Sequence, residues 1–307
     1  QGTFGIWSSQ ATGLSYLTEM NDVLYFVVSN AGGDAEIWRS DATPEGTYPI
    51  TDFSIDPNYF FSSKITSHLS KLDGALYFTV DHQKGGNELW KTDGTVGGEQ
   101  LVTDFPPGTY SALITEFEEL GGRVFFPATD ETKGVELYTS DGTEAGTYML
   151  KDIYVGPDRY SGSFPSGLFR FGNSIFFSAR YPGVGYELWK TDATSSGTVL
   201  VGDLNPGTGS SNPSSFFQFG DHFLFTTAIE LNQRELWISD GNLLNTRMLG
   251  ISSYLPDFTS HNDRIYFVRD PYGPEQLGGL WATDGSEEVT QMVKDFSHLY
   301  KIIKLND

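Results

Sequence analysis

The string ELWKTDGT occupies residues 88–95, and close relatives of it occur five more times along the chain. Aligned on the aspartate, the copies fall at Asp41, Asp93, Asp141, Asp192, Asp240 and Asp284, at intervals of 52, 48, 51, 48 and 44 residues. An aromatic residue stands three positions before each: Trp38, Trp90, Tyr138, Trp189, Trp237 and Trp281. A glutamate precedes the aromatic by two in five copies (Glu36, Glu88, Glu136, Glu187 and Glu235), and Gly279 takes that place in the sixth. A period near 50 residues made only of short strand-like runs predicts a β-propeller, with one four-stranded antiparallel blade per repeat.

Each repeat divides in the same way. A first strand ends in a turn dipeptide, as in FRFGN (169–173), and an apolar second strand follows at once, as in ALYFTV (75–80) and SIFFSA (174–179). That spacing suits a tight hairpin. A loop of variable length leads to the Glu-Leu-Trp strand, and Asp-Gly-Thr then turns the chain into a fourth strand such as GTYMLKDI (146–153). Aspartate opens such a turn by accepting from the backbone N–H two residues on, while glycine tolerates the dihedrals of a tight connection. Ala42 and Ala193 replace the glycine in two copies, for which a type I turn is expected. Six recurrences make these residues scaffold, because a catalytic group is needed once. The aromatic and its neighbouring leucine are expected to fill the space between blades.

Composition supports this reading. Aromatic residues make up 15% of the chain, with 35 Gly and 14 Pro, as strand-and-turn architectures require. Forty acidic residues against 19 basic give a formal charge of −21, which disfavours nucleic acid and anionic lipid as partners. No cysteine is present, so disulfides and thiolate chemistry are excluded. No run of about 18 apolar residues exists to insert into a membrane. The patterns GxSxG, HExxH, the Walker loop and GxGxxG are also missing.

Residues 2–9 align with a fourth strand and residues 299–307 with a first strand, leaving six complete units between them. The whole chain, 1–307, therefore reads as one propeller domain. Seven blades with the last incomplete is the favoured count, and six is the alternative.

NELWKTDGT, VELYTSDGT, YELWKTDAT and RELWISDGN resemble the bacterial ELWxxDGT-repeat proteins, a likeness that spans nearly the whole chain. The resemblance implies a large protein exported to the cell surface or secreted, outer-membrane associated, often as type IX secretion cargo. It implies no catalytic residue, and none is assigned.

Function is expected on the variable loops, which join second to third strands and fourth to first strands at one end of every blade. Tyr59, Tyr110, Tyr160, Tyr181, Tyr186 and Tyr272 fall in them. Aromatic rings there can stack on sugars or grip a protein. Asp158, Arg159 and Tyr160, together with Arg180, Tyr181 and Tyr186, form the most distinctive cluster. Paired guanidinium groups beside phenols suit a carboxylate or sulfate, though loop salt bridges use the same residues. The expected role is a non-catalytic recognition or scaffold module for a glycan or a surface or secretion-system protein. A polysaccharide lyase or glycoside hydrolase working on the same face, with Tyr as base, and a passive part of an adhesin are the alternatives. No cofactor is assigned. Calcium is considered at the aspartates that end the fourth strands, Asp52, Asp104, Asp152, Asp203 and Asp295, near the Glu of each third strand. Lys151 and Lys294 precede two of these as candidate ion-pair partners.

Overall fold

A computed structural model of the chain describes residues 11–30, 35–51, 64–65, 69–81, 87–103, 116–129, 132–156, 161–230, 233–252, 258–269, 279–286 and 290–295. These build an all-β fold of the β-propeller class, made of antiparallel sheets whose strands lie side by side in chain order. The chain divides into two compact units, Gln1–Pro165 and Ser166–Asp307.

The first unit holds three blades. Its first blade is Ala11–Met20, Val23–Asn30, Ala35–Ser40 and Tyr48–Pro49. In the second, Lys64–Ile65 and Ser70–Leu72 both pair with Ala75–Asp81, followed by Asn87–Thr92 and Glu99–Thr103. The third is Glu118–Leu120, Arg123–Thr129, Val135–Ser140 and Tyr148–Lys151. The second unit repeats the scheme with Ser166–Phe171, Ser174–Tyr181, Gly185–Thr191 and Val199–Gly202 as the fourth blade. Ser214–Phe219, His222–Glu230, Gln233–Ser239 and Arg247–Ser252 form the fifth. Phe258–His261, Arg264–Arg269, Gly279–Thr283 and Gln291–Asp295 form the sixth.

Strand periodicity explains how Leu-Trp joins neighbours. Successive side chains point to opposite faces of a strand, so the leucine packs on the following blade and the aromatic on the preceding one. Leu89 lies with Val124, Phe126 and Tyr138 of the third blade, while Trp90 packs against Tyr25, Val27 and Ile37 of the first. In the second unit, Leu188 lies with Phe223 and Phe225, with Trp237 against them, and Leu236 joins Ile265, Phe267 and Trp281. A β-bulge recurs between the leucine and the aromatic of the third strand, where two outer-strand residues are spanned by one step: Leu89 faces Thr103 and Trp90 faces Leu101. The residue skipped, Val102, is 2% exposed and joins the core with the third blade. Bulges of this kind re-aim one side chain. The same step recurs at Leu150, Val201 and Leu249.

The DGT turns are more uniform than two of their sequences suggest. Ala42 has φ 68° and Ala193 φ 74°, in the left-handed region with Gly94, Gly142, Gly241 and Gly285. The type I turn expected at the two alanines is therefore wrong. The aspartate's hydrogen bonds hold the backbone in one shape, and alanine accepts the strain.

Packing against the preceding blade also opposes a side chain at the glycine copies, most sharply at two of them. A Cβ on Gly94 would lie 2.2 Å from the Tyr25 hydroxyl, and one on Gly142 would lie 2.1 Å from that of Tyr77. In each case the tyrosine comes from the preceding blade. The carbonyl of Gly142 also accepts from Lys91 Nζ at 2.8 Å, and that of Gly241 from Lys190 Nζ at 3.0 Å, again from the preceding blade. The turn is thus an inter-blade contact as well as a chain reversal.

Candidate functional site

The repeated acids are the first candidates to test, and the structure occupies them with local bonds. Asp41, Asp93, Asp141 and Asp192 each accept at Oδ1 from the backbone N–H and the hydroxyl of the threonine two residues on, at 2.6–3.0 Å. Asp284 does the same with Ser286, and Asp240 accepts from the Asn242 N–H and from Asn245 Nδ2. The hydroxyl bond, with the backbone bond beside it, holds the carboxyls of Asp41, Asp93, Asp141, Asp192 and Asp284 below the usual 3.8. Asp240 is lowered as well, burial opposing the bonds from Asn245 and Asn242.

The glutamates were missed as functional parts of the scaffold. Glu136 is fully buried. It accepts from the backbone N–H groups of Ile153, Tyr154 and Ser163 at 2.9–3.1 Å and from the Ser163 hydroxyl. Ile153 and Tyr154 leave the third blade's outer strand, and Ser163 lies three residues before the next strand begins. One carboxylate therefore fastens both ends of a fourth-to-first loop. Glu187, also fully buried, repeats the device with Leu204 N, Ser211 N and Ser211 Oγ at 2.6–2.9 Å. Burial pushes both carboxyls above the usual 4.5, and the hydrogen bonds only partly oppose it. In the first and fifth blades a bond to the glutamate comes from the indole N–H two residues on, Trp38 to Glu36 at 3.0 Å and Trp237 to Glu235 at 3.1 Å.

A sequence signal for the clamp existed. Ser163-Phe-Pro-Ser166 and Ser211-Asn-Pro-Ser214 share the pattern Ser-x-Pro-Ser inside segments that otherwise read as unrelated loops. The structure superposes their roles: Phe164 N donates to Val135 O at 3.0 Å and Asn212 N to Tyr186 O at 3.1 Å, at equivalent third-strand positions.

In the sixth copy the clamp is missing for a steric reason. A Cβ on Gly279 would meet the Lys294 carbonyl oxygen at 2.2 Å.

Of the loop residues singled out from the sequence, Tyr59, Tyr110, Asp158, Arg159, Tyr160 and Tyr272 lie outside the described residues. Arg180, Tyr181 and Tyr186 are described, and the fourth blade does not gather them as one cluster. Arg180 and Tyr186 are directly opposite each other across the second and third strands, as are Tyr181 and Gly185. Alternation puts the first pair on the face shared with Phe176 and Leu188. Tyr181 stands on the other face, its ring 5.8 Å from that of Trp189. Tyr181 remains 44% exposed.

The 203–213 loop packs hard against this hairpin. A Cβ on Gly185 would lie 2.2 Å from the Gly209 carbonyl. Tyr186 N donates to Ser210 Oγ at 3.0 Å, and its carbonyl accepts from Ser211 N at 2.9 Å. The loop reaches the fifth blade through Ala228 N to Ser211 O at 2.7 Å and Asn212 Nδ2 to Ala228 O at 2.9 Å. The rim of the fourth blade is consequently a fixed surface, with a phenol on one face of the hairpin and a guanidinium and a second phenol on the other.

The fourth-strand aspartates do not assemble a calcium site among the described residues. Asp52 and Asp104 lie outside the described residues. Asp152 Oδ2 pairs with Lys133 Nζ at 2.9 Å, and Asp203 Oδ2 accepts from Gly207 N at 3.3 Å. Asp295 is exposed at the end of its strand. Among the described residues no three His, Asp or Glu side chains come together as a metal-ligating group. Nor, among them, is any helix long and apolar enough to cross a membrane.

No protein-family model matches the chain, and no curated protein matches it. Solved structures do. A structure described in a study of two prolyl endopeptidases matches with TM-score 0.56 and 14% identity over 91% of this chain and 40% of its own. Prolyl oligopeptidase B from Galerina marginata matches with TM-score 0.54 and 9% identity, over 93% and 42%. A puromycin-hydrolyzing peptidase from Mycobacterium tuberculosis matches with TM-score 0.52 and 13% identity, over 97% and 48%. The chain spans less than half the length of each. At such identities the likeness is one of fold, and it agrees with the β-propeller built by the sheets.

Proposed function

We propose that this chain is a non-catalytic recognition module of the ELWxxDGT-repeat type, part of a protein exported to the bacterial surface, and that it binds a glycan at the loop-bearing rim of the fourth blade. The observation that carries the reading is how the polar residues divide. The recurrent aspartates are held in bonds within their own turns, and the clamp glutamates Glu136 and Glu187 in bonds to the loop they fasten. The fourth-blade rim, by contrast, offers an exposed phenol, Tyr181, on a loop-braced hairpin. A rigid aromatic platform loses little entropy when a sugar ring stacks on it. The charge of −21 steers the choice toward neutral or cationic ligands.

The test is affinity electrophoresis of the chain in gels carrying neutral or acidic polysaccharides, with reducing-end and unsaturated-uronate assays run alongside. Retention on a neutral glycan without product is expected, weakened at least about tenfold by Tyr181→Ala, which corresponds to about 1.4 kcal/mol. Released products would replace this reading with a lyase or hydrolase. Lack of retention on every glycan would end the glycan reading and leave a protein partner.

A further inference from the structure

Each described interface between consecutive blades within a unit is built from the same three positions of the earlier blade. They are the third residue of the second strand, the leucine position of the third strand, and the residue that follows the aromatic's partner on the outer strand. Between the first and second blades these are Tyr25, Ile37 and Ile50, exposed by 5%, 0% and 2%. Between the second and third they are Tyr77, Leu89 and Val102, at 4%, 0% and 2%. Between the fifth and sixth they are Leu224, Leu236 and Leu249, at 0%, 2% and 8%. The fourth blade supplies Phe176, Leu188 and Val201 to the fifth, the first two buried and Val201 partly so.

The covering set is equally regular. The later blade lays down two apolar residues of its second strand and the aromatic of its third strand. These are Leu76, Phe78 and Trp90; Val124, Phe126 and Tyr138; Phe223, Phe225 and Trp237; and Ile265, Phe267 and Trp281.

The sixth blade carries the same three positions as Tyr266, Leu280 and Val293, and here none of them is fully buried. Val293 is 50% exposed, and Tyr266 and Leu280 are only half-buried. Its register is unchanged, with Leu280 facing Lys294, Trp281 facing Met292 and Val293 bulged between them. The face is thus built for an interface of the kind repeated elsewhere, and among the described residues no blade covers it. Apolar surface exposed in register with a repeated interface marks an attachment site.

We infer that the face of the sixth blade formed by Tyr266, Leu280 and Val293 is the docking surface for one further four-stranded unit of this same repeat, seated through a Phe-bearing second strand and a Trp- or Tyr-bearing third strand. The occupant follows from continuity with the four interfaces above, each filled by that one chemistry.

The chain has no cysteine, so a single introduced thiol reports cleanly on cover at one position. Val293→Cys and Val102→Cys are labelled with a maleimide in the full chain, each variant checked for native circular dichroism. Cys at 293 is expected to react at least about a hundredfold faster than Cys at 102, by analogy with the span between open and locally protected sites. The full chain is then extended after Asp307 by a linker and a second copy of residues 214–252. Labelling at 293 should slow at least about tenfold. It should stay fast when the aromatics of the added copy corresponding to Phe225 and Trp237 are both alanine. Unchanged labelling in the extended chain overturns the inference. So does protection in the unextended chain at every concentration, which would mean that the chain covers this face itself. Protection that appears only as concentration rises would assign the face to a second copy and overturn the choice of occupant.

Discussion

In the third and fourth blades two carboxylates of one repeat stand five residues apart and end in opposite electrostatic situations. The DGT aspartate sits in an exposed turn, and its bonds to the next threonine hold it below the usual carboxyl range. The clamp glutamate of the third and fourth blades receives three or four bonds and is nevertheless pushed upward. Donors are not what separates them. Water is: the aspartate keeps its solvation and adds bonds to it, whereas the glutamate exchanges all its solvation for bonds. The comparison teaches that hydrogen-bond count alone does not fix the state of a buried acid.

The largest effect should come from Glu136→Ala. It leaves three backbone N–H groups and a hydroxyl inside the protein without their acceptor, at a cost of roughly 3–5 kcal/mol. The measurement is the denaturant midpoint of the full chain, and Glu187→Ala should lose less because only three bonds converge there. Gly142→Ala comes next, at about 2–3 kcal/mol, from positive-φ strain plus collision with the Tyr77 hydroxyl. Tyr77→Phe should recover part of that loss. Gly97→Ala, with φ 71° and open space around it, should show only the backbone part, about 1 kcal/mol. Asp93→Ala should cost about 1 kcal/mol, the worth of an exposed turn bond. If Asp93→Ala matched Glu136→Ala, burial would not be the variable that separates the two acids.

The pH dependence sharpens the contrast by its sign. Asp93 is lowered in the folded state, so its contribution is present above 3.8 and disappears as pH falls through the folded value. Glu136 is raised, so its contribution is complete below 4.5 and declines as pH rises toward the folded value. Relative to the native chain, the deficit of Asp93→Asn should therefore shrink on acidification below 3.8. That of Glu136→Gln should shrink as pH climbs above 4.5. Paired denaturant curves from pH 3 to 7 check both slopes, and parallel slopes would contradict the assignment.

Much of the scaffold was legible because it depends on short-range rules repeated six times. The aspartate's bond two residues ahead follows from turn chemistry. The opposite allegiance of Leu89 and Trp90 follows from the period of a strand. The turn at Ala42 and Ala193 was misread because residue preference was weighed above the hydrogen bonds of Asp41 and Asp192, which impose positive φ on alanine. The glutamate clamp was not legible from Glu136 alone, since its partners lie 17 to 27 residues away. Only the shared Ser-x-Pro-Ser pointed to them. At the candidate site the sequence named Arg180, Tyr181 and Tyr186 together, but their alternation in one hairpin separates the middle residue from the other two. The rest of that cluster, Asp158 to Tyr160, lies outside the described residues.

The clamp also has a use in protein engineering. In one blade the residues between its two anchor points are 155–162, eight positions, and in another they are 205–210, six positions. One carboxylate tolerates inserts of both lengths with no change in the flanking strands. Foreign peptides grafted between the anchors, with Glu136 or Glu187 and the following serine retained, would start from fixed ends. The repeat is in that sense a display cassette, with a fresh insertion point wherever a clamp recurs.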